Sequence, residues 1–220
     1  MKAAPRRNRI ASGPTPSRAA TDTGLARLLE LAMRNSVEKV SAMLQIPILI
    51  DGATVTPAAA SLLELPAATN CVAVLLGIRG ETGGNLLMSL TQAGAAELCE
   101  MAPPEFKEFM PDPQERLRAL LEEMANLLAS TYLDVFSEVC SLRLLPTPPS
   151  YLAAPSSEVS DAFFAPLSGS SPPSGARLLC SHLVLRAPQV RMLVAAALPG
   201  DAVRQISEGA RRCMPELFLT

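Results

Sequence analysis

The stretch from Gln114 to Cys140, QERLRALLEEMANLLASTYLDVFSEVC, decides how this chain is expected to fold. Its apolar residues recur at steps of three and four, which is typical of a long amphipathic helix. These apolar positions are Leu117, Leu120, Leu121, Met124, Leu127, Leu128, Val135 and Val139. Such a helix needs a partner layer for its apolar side, and the flanking sequence supplies one.

The same order of elements occurs twice along the chain. The first half predicts a helix from Gly24, strands at Ile48–Val55, Cys71–Ile78 and Asn85–Leu90, and a helix at Thr91–Met101. The second half predicts the long helix, strands at Leu142–Leu145, Leu178–Leu185 and Met192–Leu198, and a helix at Asp201–Cys213. Two copies of helix, strand, hairpin and helix predict an α+β fold with pseudo-two-fold symmetry. We expect one domain over residues 24–220, with repeats at 24–101 and 114–213 and the long helices on one side of a shared antiparallel sheet.

Two segments lack this periodicity. Met1–Thr23 is rich in Pro, Ala, Ser and Arg, so it is predicted to be a disordered tail. Ala153–Gly175 is rich in Ser, Pro and Ala and is predicted to be a loop.

Composition excludes several classes of function. The 19 Lys and Arg residues nearly balance the 21 Asp and Glu residues, so no basic surface for nucleic acid or an anionic membrane is expected. The five cysteines never form a C-x-x-C pair, which fits a reduced cytoplasm. The single histidine, His182, is too few for a typical zinc site and is predicted to pack in or beside a strand. No signal peptide or membrane span is apparent, and the protein is predicted to be cytoplasmic.

The long helix carries the candidate functional residues on the side opposite its apolar positions. Ala119, Glu123, Asn126, Ser130 and Ser137 fall within about 60° of each other at 100° per residue. Glu123 and Asn126 are neighbours on this surface and can meet one target together. Asn is an unfavourable residue inside a helix, so its presence at position 126 needs an explanation. The alternative is a solvated helix face of no special function.

The run from Glu122 to Pro149 resembles the signature of the CheC family of chemotaxis phosphatases, which includes the CheX and FliY types. Glu123, Asn126 and Pro149 fit that signature, with twenty-two residues between the last two. The order of elements from Gly24 to Cys213 also resembles that of the family.

The resemblance implies a phosphatase that hydrolyses the aspartyl phosphate of a CheY-like response regulator. Glu123 and Asn126 would form its catalytic pair, with Asn126 positioning a water and Glu123 binding a lysine of the regulator. No cofactor is implied in this chain, because Mg²⁺ would be held by the phosphorylated regulator. A CheD-type deamidase is a further partner associated with the family. The positions implied for partner contact are Ala119, Ser130, Leu133 and Pro149.

Two departures from the family pattern leave alternatives open. Ala119 stands where the family has Asp or Ser. On the first helix, where the family often has a second site, the candidate pairs are Glu30 with Met33, or Arg27 with Glu30. Neither is Glu with Asn, so the first site is predicted to be vacant. The alternatives are a non-catalytic adaptor that binds a response regulator or another chemotaxis protein, and an α+β interaction domain without a link to signalling.

Overall fold

A computed structural model describes residues 18–65, 70–104, 108, 110–167, 175–186 and 189–219. We number the α-helices within them α1 (Arg18–Leu44), α2 (Gln92–Met101), α3 (Pro113–Cys140), α4 (Ser156–Phe164) and α5 (Gly200–Cys213). The strands are β1 (Ile48–Pro57), β2 (Cys71–Gly80), β3 (Gly84–Thr91), β4 (Leu144–Pro146), β5 (Ser150–Ala154), β6 (Arg177–Arg186) and β7 (Gln189–Leu198).

All seven strands form one antiparallel sheet, in the order β1-β6-β7-β3-β2, with β4 and β5 both paired to the outer side of β2. The first strand of each half therefore pairs with the hairpin of the other half: β1 with β6, and β4 and β5 with β2. The two halves meet where β3 pairs with β7, from Asn85 opposite Ala197 to Leu90 opposite Met192. This arrangement confirms the predicted α+β fold and its pseudo-two-fold symmetry.

The two long helices, α1 and α3, pack against each other and over one face of the sheet. The buried Ser36 hydroxyl of α1 donates a hydrogen bond to the Leu128 carbonyl oxygen of α3, at 3.3 Å. Both helices end on a non-glycine residue in the left-handed region, Gln45 with φ 56° and Ser141 with φ 54°. The residue after each cap then donates its N–H to a serine carbonyl, that of Ser41 in the first half and Ser137 in the second. The two halves thus share the same geometry at the ends of their long helices, although the sequence identity between them is low.

The opposite face of the sheet carries a second, smaller core beneath α4. Val159 and Phe163 of this helix are fully buried against the strands, and the Asn85 side chain donates a hydrogen bond to the Phe163 carbonyl at 2.9 Å. The prediction of a loop over Ala153–Gly175 was therefore wrong for its first two residues, which belong to β5, and for the part that forms α4. Residues 168–174 lie outside the described residues. Only one pair of apolar residues four apart marks this helix, which is too short a pattern for periodicity to detect.

Two predicted boundaries also move. Residues 18–23 of the predicted tail belong to α1, because the Asp22 carboxylate accepts a hydrogen bond at 2.6 Å from the buried Arg177 side chain. The rest of that tail, residues 1–17, lies outside the described residues. The strand predicted at Leu142–Leu145 is β4 at Leu144–Pro146, because Leu142 still belongs to the turn that ends α3.

The cysteines form no disulfide bonds in the structure. All five cysteines are unpaired, and burial raises the pKa of both Cys140 and Cys180 to about 12. Among the helices in the described residues, none is long and apolar enough to cross a bilayer.

The packing of α5 on α3 gives a direct test of the fold. Gly209 of α5 lies against the backbone of Cys140, so a Cβ at position 209 would overlap the Cys140 carbonyl oxygen. Helix propensity alone predicts that Gly209→Ala stabilises the protein by about 1 kcal/mol. We expect the opposite, a loss of about 1–3 kcal/mol in the free energy of unfolding measured by urea denaturation, because the interface is overpacked.

Gly83→Ala is the matched control, because a Cβ at position 83 meets nothing within 4 Å. It should change the free energy of unfolding by less than about 0.5 kcal/mol. Equal or greater stability of Gly209→Ala would contradict the described contact.

Candidate functional site

The helix that carries the candidate residues is fixed at both ends. The Asp112 carboxylate caps its start by accepting hydrogen bonds from the backbone N–H groups of Gln114 and Glu115, at 2.7 and 3.0 Å. Ser141 ends it in the left-handed region. Its inner side lies in the main core from Leu120 onward. A helix held in this way presents one fixed strip of residues to the outside.

This outward surface, which we call the α3 strip, consists of Ala119, Glu123, Asn126 and Ser130. Glu123 and Asn126 are exposed, while the two small residues on either side of them are half-buried. Within the described part of the chain, neither Glu123 nor Asn126 has a hydrogen-bond or ion-pair partner. The carboxylate and the carboxamide are therefore both available to another molecule, and their small neighbours allow its surface to approach.

The charges beside the strip leave the Glu123 carboxylate uncompensated. Glu122 is already paired with Arg118, whose Nε lies 2.8 Å from the Glu122 carboxylate. Arg118 also acts on Tyr151 of β5: burial raises the pKa of this phenol, and the arginine charge partly opposes that shift. Arg118 is thus engaged on its own side of the helix, and none of the described cations pairs with Glu123.

Two residues predicted for this surface do not lie on it. Leu133 is 1% exposed and belongs to the main core, so its predicted contact with a partner was wrong. It shares its angle around the helix with Asn126 but lies nearly two turns further along, nearer the end of α3 where Gly209 of α5 lies against Cys140. Ser137, predicted in the exposed strip, is bound to β4: its hydroxyl accepts a hydrogen bond from the Leu144 N–H at 3.2 Å.

Pro149 lies at the edge of the sheet, between β4 and β5. Between β4 and β5, Thr147 contacts β2 in place of regular strand pairing. Its N–H donates to the Gly77 carbonyl oxygen, and its hydroxyl accepts from the Gly77 N–H, both at 2.8 Å. Pro149 is half-buried and stands two residues before Tyr151, which interacts with Arg118 of α3. It therefore stands at the end of β5 that runs beside the N-terminal half of α3.

The positions of α1 that are equivalent to Glu123 and Asn126 of α3 carry different residues. When α1 and α3 are aligned on Gln45 and Ser141, their buried positions coincide, and Arg27 and Glu30 fall opposite Glu123 and Asn126. Met33, the other candidate partner of Glu30, is fully buried. The structure thus selects the pair Arg27 and Glu30. This pair has no side-chain amide, so it cannot present a carboxylate beside a carboxamide as Glu123 and Asn126 do.

Arg27 is also occupied, which the sequence did not indicate. Its guanidinium donates hydrogen bonds to backbone carbonyl oxygens of residues 216–219, and the closest of these is the carbonyl oxygen of Leu219, at 2.6 Å. The nearest signal in the sequence is the apolar pair Leu217 and Phe218 at the end of the chain, and nothing in it specifies where they dock.

His182 does not contribute to the α3 strip. It lies on β6, with its Nε2 atom 3.4 Å from the Glu64 carboxylate. Across the described ranges, no group of three His, Cys, Asp or Glu side chains is placed to hold a metal ion.

Comparison with known proteins identifies the fold but no close relative. No family model matches this chain, and no curated protein matches it. Solved structures do match. FliY from Thermotoga maritima superposes with a TM-score of 0.64 at 14% identity, covering 91% of this chain and 100% of that chain.

Two further solved structures share this fold. FliM from H. pylori, in a complex with SpeE, has a TM-score of 0.57 at 11% identity, covering 90% of this chain and 98% of that chain. CheX from Borrelia burgdorferi, in a complex with CheY, BeF₃ and Mg²⁺, has a TM-score of 0.51 at 15% identity, covering 77% and 97%. The chain thus has the fold of the CheC, CheX and FliY proteins, as the resemblance in sequence implied.

The different environments of Leu133 and Asn126 can be tested by stability. We expect Leu133→Ala to lower the free energy of unfolding by about 2–5 kcal/mol, because it leaves a cavity in the core. Asn126→Ala should be neutral or slightly stabilising, because an exposed Asn is replaced by a better helix former. Urea denaturation of both variants measures the difference, and a similar cost for the two would mean that the α3 strip is not exposed as described.

Proposed function

We propose that this protein is a phosphatase that dephosphorylates the aspartyl phosphate of a CheY-like response regulator in the cytoplasm, with Asn126 positioning the attacking water. The observation that carries the proposal is the pair Glu123 and Asn126: both are exposed and unpartnered among the described residues, on a helix that is otherwise capped and buried. The equivalent positions of α1 carry different residues, one of them already bound. If the α3 strip were only a solvated helix face, nothing would require its residues to differ in this way from those at the equivalent positions of α1.

The chemistry needs little from this chain. A response regulator supplies its own carboxylates, Mg²⁺ and groups that bind the phosphoryl oxygens, so what remains is to hold a water in line with the phosphorus. Positioning of this kind is a large part of phosphoryl-transfer catalysis. The Asn126 carboxamide offers both an acceptor and a donor, so it can orient a water while contacting the phosphoryl group.

Glu123 would fix the helix on the regulator. Because Arg118 is engaged with Glu122, the Glu123 carboxylate is free to pair with a lysine at the regulator's active site. The half-buried Ala119 and Ser130 leave room for that contact. The CheX structure, in which a protein of this fold binds CheY with Mg²⁺ and BeF₃, supports a partner of this class. The CheD-type deamidase stays a prediction.

A second candidate function is a non-catalytic adaptor that docks a response regulator through the same strip. Ala119 favours it, because this position can supply neither the hydroxyl nor the carboxylate that the family pattern has there. The FliM structure, in which a protein of this fold binds SpeE, shows that the fold also serves protein binding. The two candidates share a docking surface and differ in turnover.

Asn126→Ala should abolish the acceleration of regulator dephosphorylation, a loss on the order of 10²-fold in rate, because the water is no longer held in line. The measurement is the decay of a phosphorylated response regulator with and without the protein. Glu30→Ala, at the equivalent position of α1, is the matched control and should leave the rate unchanged. An unaffected rate in Asn126→Ala would refute the assigned role.

Glu123→Ala should weaken binding to the phosphorylated regulator by roughly tenfold as well as slow turnover, because it removes a charged contact made before and during the reaction. Titration with a regulator held in its activated form gives the affinity. Glu122→Ala removes the neighbouring carboxylate that is already paired, so it controls for a general effect of charge. Equal affinities of wild type and Glu123→Ala would exclude the anchoring role.

Ala119→Ser tests the departure from the family pattern. The hydroxyl would lie one helical turn before Glu123 on the same face, without the like-charge repulsion that Ala119→Asp brings. We expect a faster decay of the phosphorylated regulator than with wild type. If wild type and Ala119→Ser both bind the regulator without changing its decay, the adaptor function is the correct one.

A further inference from the structure

Residues Met214–Leu219, which follow α5, lie along the N-terminal half of α1. We call them the C-terminal segment; they include a 3₁₀ turn at Pro215–Phe218. The Arg27 Nη1 binds the backbone of this segment, with its two N–H groups shared among three carbonyl oxygens: those of Glu216 at 3.2 Å, Leu217 at 3.1 Å and Leu219 at 2.6 Å. An arginine that binds main-chain carbonyls recognises the shape of a turn rather than its side chains.

The Phe218 ring supplies the side-chain contact. It lies directly on Gly24, where a Cβ would overlap the ring, so the absence of a side chain at this position creates the space. The Arg211 guanidinium of α5 lies over the ring, 4.4 Å from its centroid, and also donates a hydrogen bond to the Thr21 hydroxyl at 3.1 Å. The ring thus contacts a glycine of one helix and a cation of another.

This contact occupies Arg27, the residue of α1 equivalent to Glu123, while Glu30, the equivalent of Asn126, stays exposed. Within the described residues the segment pairs with no strand and contacts α1 and α5, so its local detachment leaves the sheet in place. It therefore has the properties of a peptide ligand that is covalently attached.

We propose that Thr21, Gly24, Arg27 and Arg211 form a peptide-binding site, here called the α1 site, that the chain fills with its own C-terminal segment. Its ligand class is a short peptide turn with exposed carbonyl groups and one aromatic side chain. While the segment is bound, the Arg27 guanidinium and the space above Gly24 are not available to another protein. This inference does not depend on phosphatase activity.

Binding of a separate peptide tests the site. The probe is a synthetic peptide of residues 214–220, added to the full-length isotope-labelled chain and followed by NMR, where weak affinity is measurable. In wild type the attached segment competes at high effective concentration. In Phe218→Ala the attached segment lacks its ring, so we expect the peptide to bind at least about tenfold more tightly than to wild type. A peptide carrying the same Phe218→Ala change should not bind.

A second arginine on α1 makes the test specific. Arg34 lies on the same helix, and its described ionic contact is with Glu30 at 4.0 Å, away from the segment. Adding Arg27→Ala to Phe218→Ala should abolish peptide binding, whereas adding Arg34→Ala should preserve it. No binding to the Phe218→Ala chain, or equal binding to it and to wild type, overturns the proposal. Retained binding in the Arg27→Ala double variant overturns it as well.

Hydrogen exchange of otherwise wild-type chains gives a measurement that does not rely on the Phe218 variant. Arg27→Ala should speed exchange of the amides in the C-terminal segment by about tenfold, because the hydrogen bonds of a charged donor are lost. Arg34→Ala should leave these amides unchanged. Equal protection of the segment in both variants would show that Arg27 does not hold it.

Discussion

The need to bury one apolar face of the sheet beneath α1 and α3 determines which residues of this chain can meet another molecule. The two helices pack side by side over the seam where β3 pairs with β7, and between them the buried Ser36 hydroxyl shares its proton between the Ala32 carbonyl of α1 at 2.9 Å and the Leu128 carbonyl of α3 at 3.3 Å. Neither helix can rotate without exposing leucines that are fully buried. The outward position of Glu123 and Asn126 is therefore a consequence of core packing.

The pseudo-two-fold symmetry makes each helix a control for the other. The same backbone geometry presents Glu123 and Asn126 on α3 but Arg27 and Glu30 on α1, and of these four residues only Arg27 is bound by the C-terminal segment. The carboxylate on α3 has no cation among the described residues, whereas the arginine on α1 has three carbonyl oxygens. The two halves have thus diverged in charge and in occupancy while they kept the same fold.

The sequence predicted the elements whose patterns are long or marked by turn residues. The period of Gln114–Cys140, the glycine turn between β2 and β3, and the repeated order of elements were sufficient for the fold class and for the α3 strip. Helical periodicity failed at Leu133, because an angle around the helix does not say which turns of α3 the rest of the core covers. It also missed α4, where Val159 and Phe163 are the only buried pair. The docking of Phe218 on Gly24 joins the two ends of the described chain, and no local pattern encodes it.

The proposed phosphatase function requires that the α3 strip contact the phosphorylated active site of a response regulator. The most direct measurement is a crystal structure of this protein in complex with a response regulator that carries Mg²⁺ and beryllofluoride in place of the phosphoryl group. We expect the Asn126 carboxamide beside the beryllofluoride, with a water held in line, and the Glu123 carboxylate paired with a lysine of the regulator. A complex in which the regulator docks elsewhere and leaves the α3 strip open to solvent would contradict this expectation.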